Sequence, residues 1–386
     1  MRVVIVRREP KVSLSMDVYA DNLISELTAI HPEWEIRQIC PQPWSDDLEN
    51  LWHSGNPLRK YYERFFNHPR AVSQIEADIF HIIDHTNGHV AYWLKRSGKP
   101  VVITCHDLVQ YVYPEILKNQ SRFPALSMAV WQYSVKAMKI ADRTIAVSTN
   151  TAKDITNWLN IAPKQIAVVP NGVESEFRSL SPEIVNNWRQ QYVNSPEEIC
   201  LLNVGSNHQR KNILTVLKVV QAIADRGLPV RLWKIGDDFT VEQKQFIGDR
   251  ALNKYITFLG KPDREALIRF YNAADIMLAP SLYEGFGLTI LEAMACGTPV
   301  ITSNVSSLPE VAGDAAILVN PMDVEAMTKA ILRLQKDSAY RQNLINKGLA
   351  KAKTFTWRKH AEDVAQVYQQ LGEFKPTFRS PTDVVF

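Results

Sequence analysis

Short apolar runs alternate along the 386-residue chain with longer segments in which apolar residues recur every three to four positions. The short runs predict buried strands, and the longer segments predict amphipathic helices. Strands that alternate with helices form parallel sheets whose faces are covered by those helices. The strands predicted in the first half lie at residues 2–6, 35–39, 79–83, 100–104, 143–147 and 166–169. The helices predicted there lie at residues 17–30, 59–77, 125–140 and 149–159.

The pattern restarts after a polar stretch, near residues 179–196, in which two Ser-Pro dipeptides bracket a helical connector. Strands follow at residues 199–204, 230–235, 256–259, 276–279, 299–302 and 316–319. Helices follow at residues 212–225, 241–252, 264–272, 288–296, 324–335, 339–354 and 357–371. We therefore expect an α/β fold of two doubly wound Rossmann-like domains that face each other across a cleft. The expected division is an N-terminal domain at 1–190, a C-terminal domain at 191–360, and a helix and tail at 361–386 that pack back on the N-terminal domain.

Composition narrows the class of protein. Apolar residues make up 46% and charged residues 22% of the chain, which is typical of a globular protein. The net charge of +3 does not argue for a nucleic-acid partner. No apolar run reaches the roughly 18 residues of a membrane span, and the N-terminal run is too short for a signal peptide. The four cysteines form no C-x-x-C pair, so we expect reduced thiols and a cytoplasmic location.

The most informative segment runs from Ser281 to Glu292 and follows the strand predicted at 276–279. A strand, a glycine-containing loop and a helix form an anion site, because the helix start offers free N–H groups and a positive dipole end. Glu284 lies in the loop, and Glu292 lies roughly 6 Å along the axis of a helix that starts near Leu288. Carboxylates accept hydrogen bonds from hydroxyls rather than binding phosphate. The segment therefore suits a nucleotide-diphosphate sugar, unless Glu284 is only a loop charge and Glu292 a surface helix residue.

The pattern Glu284-x7-Glu292 continues as Glu-Ala-Met-Ala-Cys-Gly-Thr-Pro-Val to Val300, and a second matching stretch runs from Ser303 to Ala316. Together they resemble the retaining glycosyltransferases of family 4, which have the GT-B fold. The resemblance implies transfer of a sugar from GDP-mannose or a UDP-hexose to a glycan, lipid-linked or small-molecule acceptor. It also implies that neither a metal nor a cofactor is needed, and the chain contains no Asp-x-Asp motif.

The resemblance also implies roles for individual residues. Glu284 would hold donor-sugar hydroxyls, and Arg210 and Lys211, which follow a predicted strand, would neutralise the diphosphate. His106, at the end of another strand, would contact the transferred sugar. These four are the expected catalytic residues: Glu284, His106, Arg210 and Lys211. The expected donor-binding residues are Ser206, Gly285, Phe286, Gly287, Leu288, Thr289 and Glu292. The alternatives are a solvated basic helix start and a structural histidine.

The strand predicted at 79–83 leads into a polar turn. His81, His85 and His89 recur every four residues there, but the turn between them and the lack of further ligands argue against zinc. The turn lies where a strand ends at the predicted cleft, and its residues Asp84, His85 and Asn87 are the expected acceptor contacts. The first glycine of the chain is Gly55, so the G-x-G-x-x-G signature of dinucleotide enzymes is absent after the first strand.

Residues 52–70 combine cations with Tyr61, Tyr62, Phe65 and Phe66, which would share one face of a helix. Two interpretations fit this pattern. The helix covers the core of its own domain, or it lies on a membrane surface and receives a lipid-linked acceptor. The second interpretation implies a peripheral contact of the N-terminal domain with the inner face of a membrane.

Three other functions fit parts of the pattern. A nucleotide-sugar epimerase of the same architecture would convert the donor without an acceptor. A glycosidase would need two carboxyl groups facing one bond at roughly 5–9.5 Å, which a loop and a helix around a phosphate site fit poorly. A non-catalytic binding relative would be expected to have lost some of Glu284, Glu292 and Lys211, and all three are present.

Overall fold

The computed structural model describes residues 1–10, 12–47, 51–52, 56–115 and 123–373. The described strands form two six-stranded sheets in which every neighbouring pair is parallel. The strands are β1 (Arg2–Val6), β2 (Glu35–Ile39), β3 (Ile79–Ile82), β4 (Val101–Cys105), β5 (Arg143–Ala146), β6 (Ile166–Val168), β7 (Ile199–Gly205), β8 (Val230–Gly236), β9 (Ile256–Gly260), β10 (Ile276–Ala279), β11 (Val300–Ser303) and β12 (Ile317–Val319).

The two sheets differ in strand order. The first sheet has the order β2-β1-β3-β4-β5-β6, which is the flavodoxin type with one added strand. The second has the order β12-β11-β10-β7-β8-β9, which is that of dinucleotide-binding Rossmann sheets. The expected α/β fold of two doubly wound domains is confirmed. In each sheet the order reverses beside the first strand, between β1 and β3 and between β7 and β10, and ligands bind at such points.

Helices cover both sheets. The described α-helices are α1 (Leu14–Ile30), α2 (Pro57–Tyr62), α3 (His68–Ser73), α4 (Ala91–Leu94), α5 (Val109–Val112), α6 (Pro124–Lys136), α7 (Thr149–Leu159), α8 (Pro182–Arg189), α9 (Ile213–Ala224), α10 (Val241–Asp249), α11 (Arg264–Ala273), α12 (Leu288–Ala295), α13 (Leu308–Ala312), α14 (Val324–Lys336), α15 (Ser338–Ala352) and α16 (Trp357–Glu373). The central strands are apolar on both faces because helices bury both; all five residues of β4 are buried, for example.

Local sequence explains where helices begin and end. The side chain of Ser148 accepts a hydrogen bond from the Thr151 N–H and so caps α7, and Asn160 ends that helix in a left-handed conformation. Thr240 and Gln243 form a reciprocal capping box at the start of α10.

The chain crosses between the domains twice, and the two crossings run side by side. Val173 pairs with Thr356 in an isolated parallel bridge. A Cβ at Gly172 would lie 2.2 Å from the backbone nitrogen of Trp357, so only glycine permits this approach. After the second crossing α16 packs on the first domain, where Val364 and Tyr368 join the core around β1 and α1.

The expected domain boundaries stay a prediction, and two elements bear on them. We placed the first boundary at residue 190, but α8 lies before it and packs against α11, with Val185 and Trp188 against the core of the second sheet. These side chains of α8 pack against the core of the second domain, a contact that the polar sequence of the segment did not indicate. The final helix, predicted at 357–371, begins at Trp357, four residues before the expected division at 361, and residues 374–386 of the expected tail lie outside the described residues.

The helix predicted at 59–77 is interrupted. A π-helical turn, Glu63–Asn67, separates α2 from α3, and the His68 N–H donates to the Glu63 carbonyl five residues earlier. This shift frees the Arg64 carbonyl, which accepts a 2.8 Å hydrogen bond from Nε2 of His89. Pro69 follows at once and has no N–H to restore the ordinary pattern. The turn is therefore stabilised by a contact with another part of the domain.

Candidate active site

The loops that follow β7 and β10 meet at the reversal point of the second sheet. Arg210 and Lys211 lie in a short 3-10 turn, Gln209–Lys211, after β7, and Glu284 lies after β10. The Leu282 N–H donates a 2.7 Å hydrogen bond to the Arg210 carbonyl, which ties the two loops together. The strand order thus brings together residues that are more than seventy positions apart in the chain.

Glu284 is a buried carboxylate that has three partners. Nη1 of Arg210 lies 2.6 Å from one carboxylate oxygen, and Nζ of Lys211 lies 2.7 Å from the other. The Ser281 hydroxyl donates to the second oxygen at 2.7 Å. Burial raises the pKa of Glu284, but the charges of Lys211 and Arg210 outweigh it and lower that pKa to about 2. The cluster contains two cations and one carboxylate, so its net positive charge can attract an anion.

Glu292 lies in the second turn of α12, whose N-cap is Gly287. Gly287 has φ 108°, a conformation that favours glycine. The Glu292 carboxylate is buried and accepts a 2.6 Å hydrogen bond from the Tyr271 hydroxyl. Burial raises its pKa to about 7, although Tyr271 and Arg264 act in the opposite direction. Glu284 therefore lies in the loop and Glu292 in the helix. The pKa of Glu284 is lowered, whereas that of Glu292 is raised.

Sequence reasoning missed several residues that support this loop. Tyr271, on α11, orients Glu292, and its spacing gave no signal of that contact. The hydroxyls of Ser306 and Ser307 donate to the Glu284 carbonyl at 2.6 and 2.9 Å. Both serines lie in the stretch that carried the family resemblance, but no role was assigned to them. They hold the loop backbone that presents Glu284.

His106 comes from the other domain, directly after β4. Its Nε2 makes a 2.8 Å hydrogen bond with the Ile83 carbonyl, and a carbonyl can only accept, so Nε2 carries the proton. Burial lowers the pKa of His106, which keeps the ring neutral and leaves Nδ1 as an acceptor. A Cβ at Gly285 would lie 1.8 Å from the His106 carbonyl oxygen, so the glycine loop touches the histidine directly.

Further hydrogen bonds join the glycine loop to the first domain. The Ser148 hydroxyl donates to the Gly285 carbonyl at 2.7 Å, and the Tyr283 hydroxyl donates to Asp154 at 2.7 Å. Glu310 accepts from the Thr149 N–H at 2.9 Å, at the positive end of α7. The two domains are therefore in contact at the cleft, around the loop that carries Glu284.

The other expected donor residues surround this loop. They comprise the residue after β7, the residues between Glu284 and α12, and the first residues of α12: Ser206, Gly285, Phe286, Gly287, Leu288 and Thr289. The Ile290 N–H donates to the Gly287 carbonyl at 3.2 Å, whereas the N–H groups of Leu288 and Thr289 precede the first hydrogen bond of α12 and can donate to a ligand. Their contact with a donor sugar stays a prediction.

The three expected acceptor residues lie together at the end of β3 and are buried. Asp84 caps the 3-10 segment His85–Val90 by accepting from the Thr86 N–H, and it pairs with Arg8 at 3.1 Å. Arg8 and its neighbouring histidines outweigh burial and hold the pKa of Asp84 well below its usual range. Asn87 accepts from Arg64 at 3.2 Å. These contacts are all within the protein, so acceptor binding by Asp84, His85 and Asn87 stays a prediction.

The three histidines at four-residue spacing diverge. His81 contacts Tyr368 and Thr104, whereas His89 contacts Ser134 and the Arg64 carbonyl. In the described part of the chain no group of three or more potential ligands converges on a metal position. Within the same residues, none of the helices has the length and the apolar character needed to span a bilayer.

Comparison with known proteins decides the family. Residues 185–351 match the family described as glycosyl transferases group 1, and residues 16–177 match glycosyltransferase family 4. The O-antigen chain mannosyltransferase B of Escherichia coli is 31% identical over 311 residues, which cover 79% of this chain and 78% of that protein. The chain belongs to the group 1 glycosyltransferases. The family resemblance predicted from the sequence is thereby confirmed.

Two further similarities support this assignment. The serotype-specific mannosyltransferase WbdA of Escherichia coli is 26% identical over 78% of this glycosyltransferase, but the match spans only 38% of WbdA. The solved structure of sucrose-phosphate synthase from Thermosynechococcus elongatus superimposes with a TM-score of 0.77 at 24% identity, covering 97% of this chain and all of that one. The fold is accordingly GT-B, and the protein is a glycosyltransferase.

Proposed function

We propose that this glycosyltransferase transfers mannose from GDP-mannose to a glycan chain, free or lipid-linked, and retains the configuration at the anomeric carbon. The similarity to a mannosyltransferase that builds O-antigen chains supports the sugar and the acceptor class. The Ser-Ser-Leu-Pro-Glu stretch that ends at Glu310 resembles that of mannosyl-transferring relatives. A UDP-hexose is the second donor that the family resemblance allows.

The observation that carries the proposal is the buried cluster at the start of α12. Its excess positive charge and the free N–H groups of the helix start suit the diphosphate of the donor. Glu284 would accept hydrogen bonds from the hydroxyls of the sugar on one side. Glu292 would accept them from the ribose on the other side, as Tyr271 now donates to it. With the donor in this orientation, the bond between the sugar and the diphosphate would lie beside Arg210 and Lys211.

In the proposed step, the bond between the anomeric carbon and the diphosphate oxygen breaks and leaves its electron pair on the diphosphate. The acceptor hydroxyl oxygen bonds to the anomeric carbon on the same face, and its proton passes to the departing phosphate. Arg210, Lys211 and the N–H groups of the loop stabilise the negative charge that grows there. His106 would accept a hydrogen bond from a sugar hydroxyl through Nδ1. Contact between the domains excludes water and so limits hydrolysis.

An assay with a mannose-terminated glycan and several donors tests the proposal. We expect mannose from GDP-mannose to be added, with the same anomeric configuration in donor and product by NMR. Lys211→Ala should reduce transfer on the order of 100-fold, because one charge that stabilises the transition state is lost. Lys218→Ala, an exposed lysine on α9, is the matched control and should leave transfer unchanged.

Other outcomes would overturn the proposal. Conversion of the donor without an acceptor would indicate an epimerase, and inversion at the anomeric carbon would contradict the stereochemistry. Addition of glucose or galactose from UDP donors alone would replace the proposed sugar while leaving the site intact. Nucleotide binding without turnover on any glycan would indicate a non-catalytic relative.

A further inference from the structure

The first domain carries a surface, here called the aromatic-basic surface, that the transfer reaction does not use. It is formed by residues 57–73, by residues 91–99 and by α6 with the turn after it, up to residue 140. Its aromatic and aliphatic side chains are Leu58, Tyr61, Tyr62, Phe65, Phe66, Tyr92, Trp93, Leu126 and Tyr133. Tyr61 stacks on Phe65, and Tyr62 stacks on Phe66, so the rings form two rows along the helix.

These side chains face outward. Tyr62 is 63% exposed, Phe66 58% and Leu126 57%. The opposite face of the same helical segment is the one that packs inward, because Glu63 and His68 are buried and Glu63 accepts from the Gln42 N–H at 2.8 Å. The exposed rings of Tyr61, Tyr62 and Phe66 therefore do not belong to the core of their own domain, which this segment contacts through Val72. Natural monomers seldom expose a large apolar patch of this kind without a partner.

Two adjoining grooves run through the surface. One has a volume of about 520 Å³ and lies between Tyr61 and Leu126. The other, of about 450 Å³, reaches Trp93 and Arg96. Both are lined by Tyr61, Phe65 and Tyr133, so the grooves form one continuous apolar depression.

Most ionisable side chains of this surface are cations. The three segments 57–73, 91–99 and 123–140 contain nine lysines and arginines but one carboxylate, the buried Glu63. The rest of the chain contains five more carboxylates than cations, although the whole chain has a net charge of +3. Arg59 and Lys95 pair with Asp46 and Asp142 just outside these segments, and the other seven cations leave an excess of positive charge around the exposed aromatic rings. Arg96 lies over the ring of Trp93 at 5.8 Å, which places a cation at the groove itself.

We propose that the aromatic-basic surface docks on the surface of an anionic lipid bilayer. Tyrosine and tryptophan rings favour the headgroup region of a bilayer, and flanking lysines and arginines favour anionic lipids. Leu58 and Leu126 project with the rings, and they gain free energy only from a partner that has an apolar layer. A nucleic acid or another polyanion has no such layer for them, so it fits the charge but not the leucines.

The surface lies next to the catalytic cleft. Arg64 donates to the Thr86 carbonyl at 3.0 Å and to Asn87 at 3.2 Å, in the segment that follows β3. In the same segment, Nδ1 of His85 accepts from the His106 N–H at 3.5 Å. A docked bilayer would therefore border the face of the cleft opposite the donor loop. If the proposed transfer is correct, an acceptor held in the bilayer reaches the cleft without leaving it.

Flotation of the purified protein with vesicles tests the docking without any donor or acceptor. One set of vesicles contains phosphatidylglycerol and phosphatidylcholine in equal parts, and the other contains phosphatidylcholine alone. We expect binding only to the anionic vesicles, weakened by added salt. The apolar variant is Tyr62→Ser with Phe66→Ser, and its control is Val241→Ser with Phe258→Ser, two exposed residues of the second domain. The charge variant is Arg96→Glu with Lys136→Glu, and its control is Lys218→Glu with Lys329→Glu.

Each test variant should reduce the vesicle partition coefficient on the order of 10-fold or more, and each control should leave it within about twofold. Unchanged thermal unfolding would show that the variants are folded. Absence of binding to anionic vesicles, or an equal loss in the controls, would overturn the proposal. A change from dimer to monomer in the apolar variant would instead assign the surface to a second copy. Because no nucleotide is present, failure of the proposed transfer would leave this result unaffected.

Discussion

The two domains of this glycosyltransferase have similar architectures, but they differ in how their functional residues are bonded. In the second domain the carboxylates of Glu284 and Glu292 contact two cations and one phenol hydroxyl at the proposed donor site. In the first domain Asp84 and Asn87 have partners that form part of the fold. Under the proposed roles, Arg210 and Lys211 would contact a diphosphate as well as Glu284, and Glu292 would accept from a ribose, whereas the turn after β3 keeps its own hydrogen bonds.

This difference has a chemical cause. GDP-mannose and UDP-hexoses all contain a diphosphate and a ribose, so the residues proposed to bind these groups have similar types and spacings. Acceptors share no such group, and the first domain accordingly has few recognisable motifs. What distinguishes that domain is its aromatic-basic surface, which is a property of a whole face rather than of single residues.

The largest expected effect comes from Gly285, where the two halves touch. In Gly285→Ala the added Cβ would overlap the His106 carbonyl oxygen, so the loop and the histidine must move apart. Misplacement of about 1 Å can cost on the order of 100-fold, and we expect transfer to fall at least that much. Nucleotide affinity, which we assign to the second domain by proposal, should stay within about threefold of the wild type, because Arg210, Lys211 and Glu292 lie outside the altered contact.

Gly248→Ala is the control, since a Cβ there meets no atom within 4 Å. Steady-state transfer and calorimetric titration measure the two quantities. If Gly285→Ala lost nucleotide affinity as strongly as transfer, nucleotide binding would depend on the contact between the two domains.

A second prediction distinguishes binding of the donor sugar from binding of the nucleotide. Glu284→Gln removes the carboxylate that is proposed to hold sugar hydroxyls but keeps its size. Since a hydrogen bond to a charged group contributes about 1.5–3 kcal/mol, GDP-mannose should bind roughly 10 to 100 times more weakly. GDP alone should bind at least as tightly as before, because Arg210 and Lys211 lose their counter-charge. Titration of both ligands tests this, and equal weakening of both would contradict it.

The third prediction uses the raised pKa of Glu292. The pKa is about 7 in the free protein, against an unfolded value near 4.5. Ribose hydroxyls stabilise the charged form, so nucleotide affinity should rise about 10-fold between roughly pH 6 and pH 8. Because the pKa of Glu292 is raised on folding, ionising this carboxyl costs more free energy in the folded state than in the unfolded state. The free energy of unfolding therefore falls as pH rises from 4.5 to about 7. Glu292→Gln should therefore raise the unfolding free energy by about 1–3 kcal/mol above pH 7, and not below pH 4.5.

Titrations and urea unfolding at several pH values check both statements. The dependence of affinity on pH should vanish in Glu292→Gln. Tyr271→Phe removes the hydroxyl that donates to Glu292 and should move the midpoint to higher pH. A pH profile that is the same in all three proteins would exclude Glu292 as the titrating group.

The smallest expected effect is at Glu310, which bridges the domains at the start of α7. Glu310→Gln weakens a half-exposed, charge-assisted contact that contributes about 0.5–1 kcal/mol. Transfer by the variant should fall by about two- to fivefold at low salt, and the difference from the wild type should shrink as salt is added, because salt screens the wild-type contact. Glu325→Gln, at an exposed ion pair within the second domain, is the control.

Much of this account was available from the sequence. The apolar runs of the strands and the N-terminal cap of α7 are local signals, so most of the strands and α7 were predicted at their observed positions. Glu284 and Glu292 were singled out by a strand, a glycine loop and a helix start, and the family resemblance implied the roles of Arg210 and Lys211. Their mutual contacts were not predicted, because β7 and β10 become neighbours only through the strand order.

The remaining features depend on contacts between distant segments. The π-helical turn needs His89 to satisfy the Arg64 carbonyl, and no local pattern indicates that contact. Tyr271 appears in the sequence as one apolar position of an amphipathic helix, yet its hydroxyl orients Glu292. The outward direction of Tyr62 and Phe66 was ambiguous, because a helix with an apolar face has the same pattern whether that face meets the core or a partner.

The central claim is that the second domain holds the ribose through Glu292, and one titration experiment tests it most directly. Wild type, Glu292→Ala and the exposed control Glu242→Ala are each titrated with GDP and with 2′,3′-dideoxy-GDP. The account predicts that wild type and control prefer GDP by about 10-fold or more, because the dideoxy nucleotide lacks the hydroxyls that donate to Glu292. In Glu292→Ala the two nucleotides should bind equally. A preference for GDP that persists in Glu292→Ala would contradict the claim.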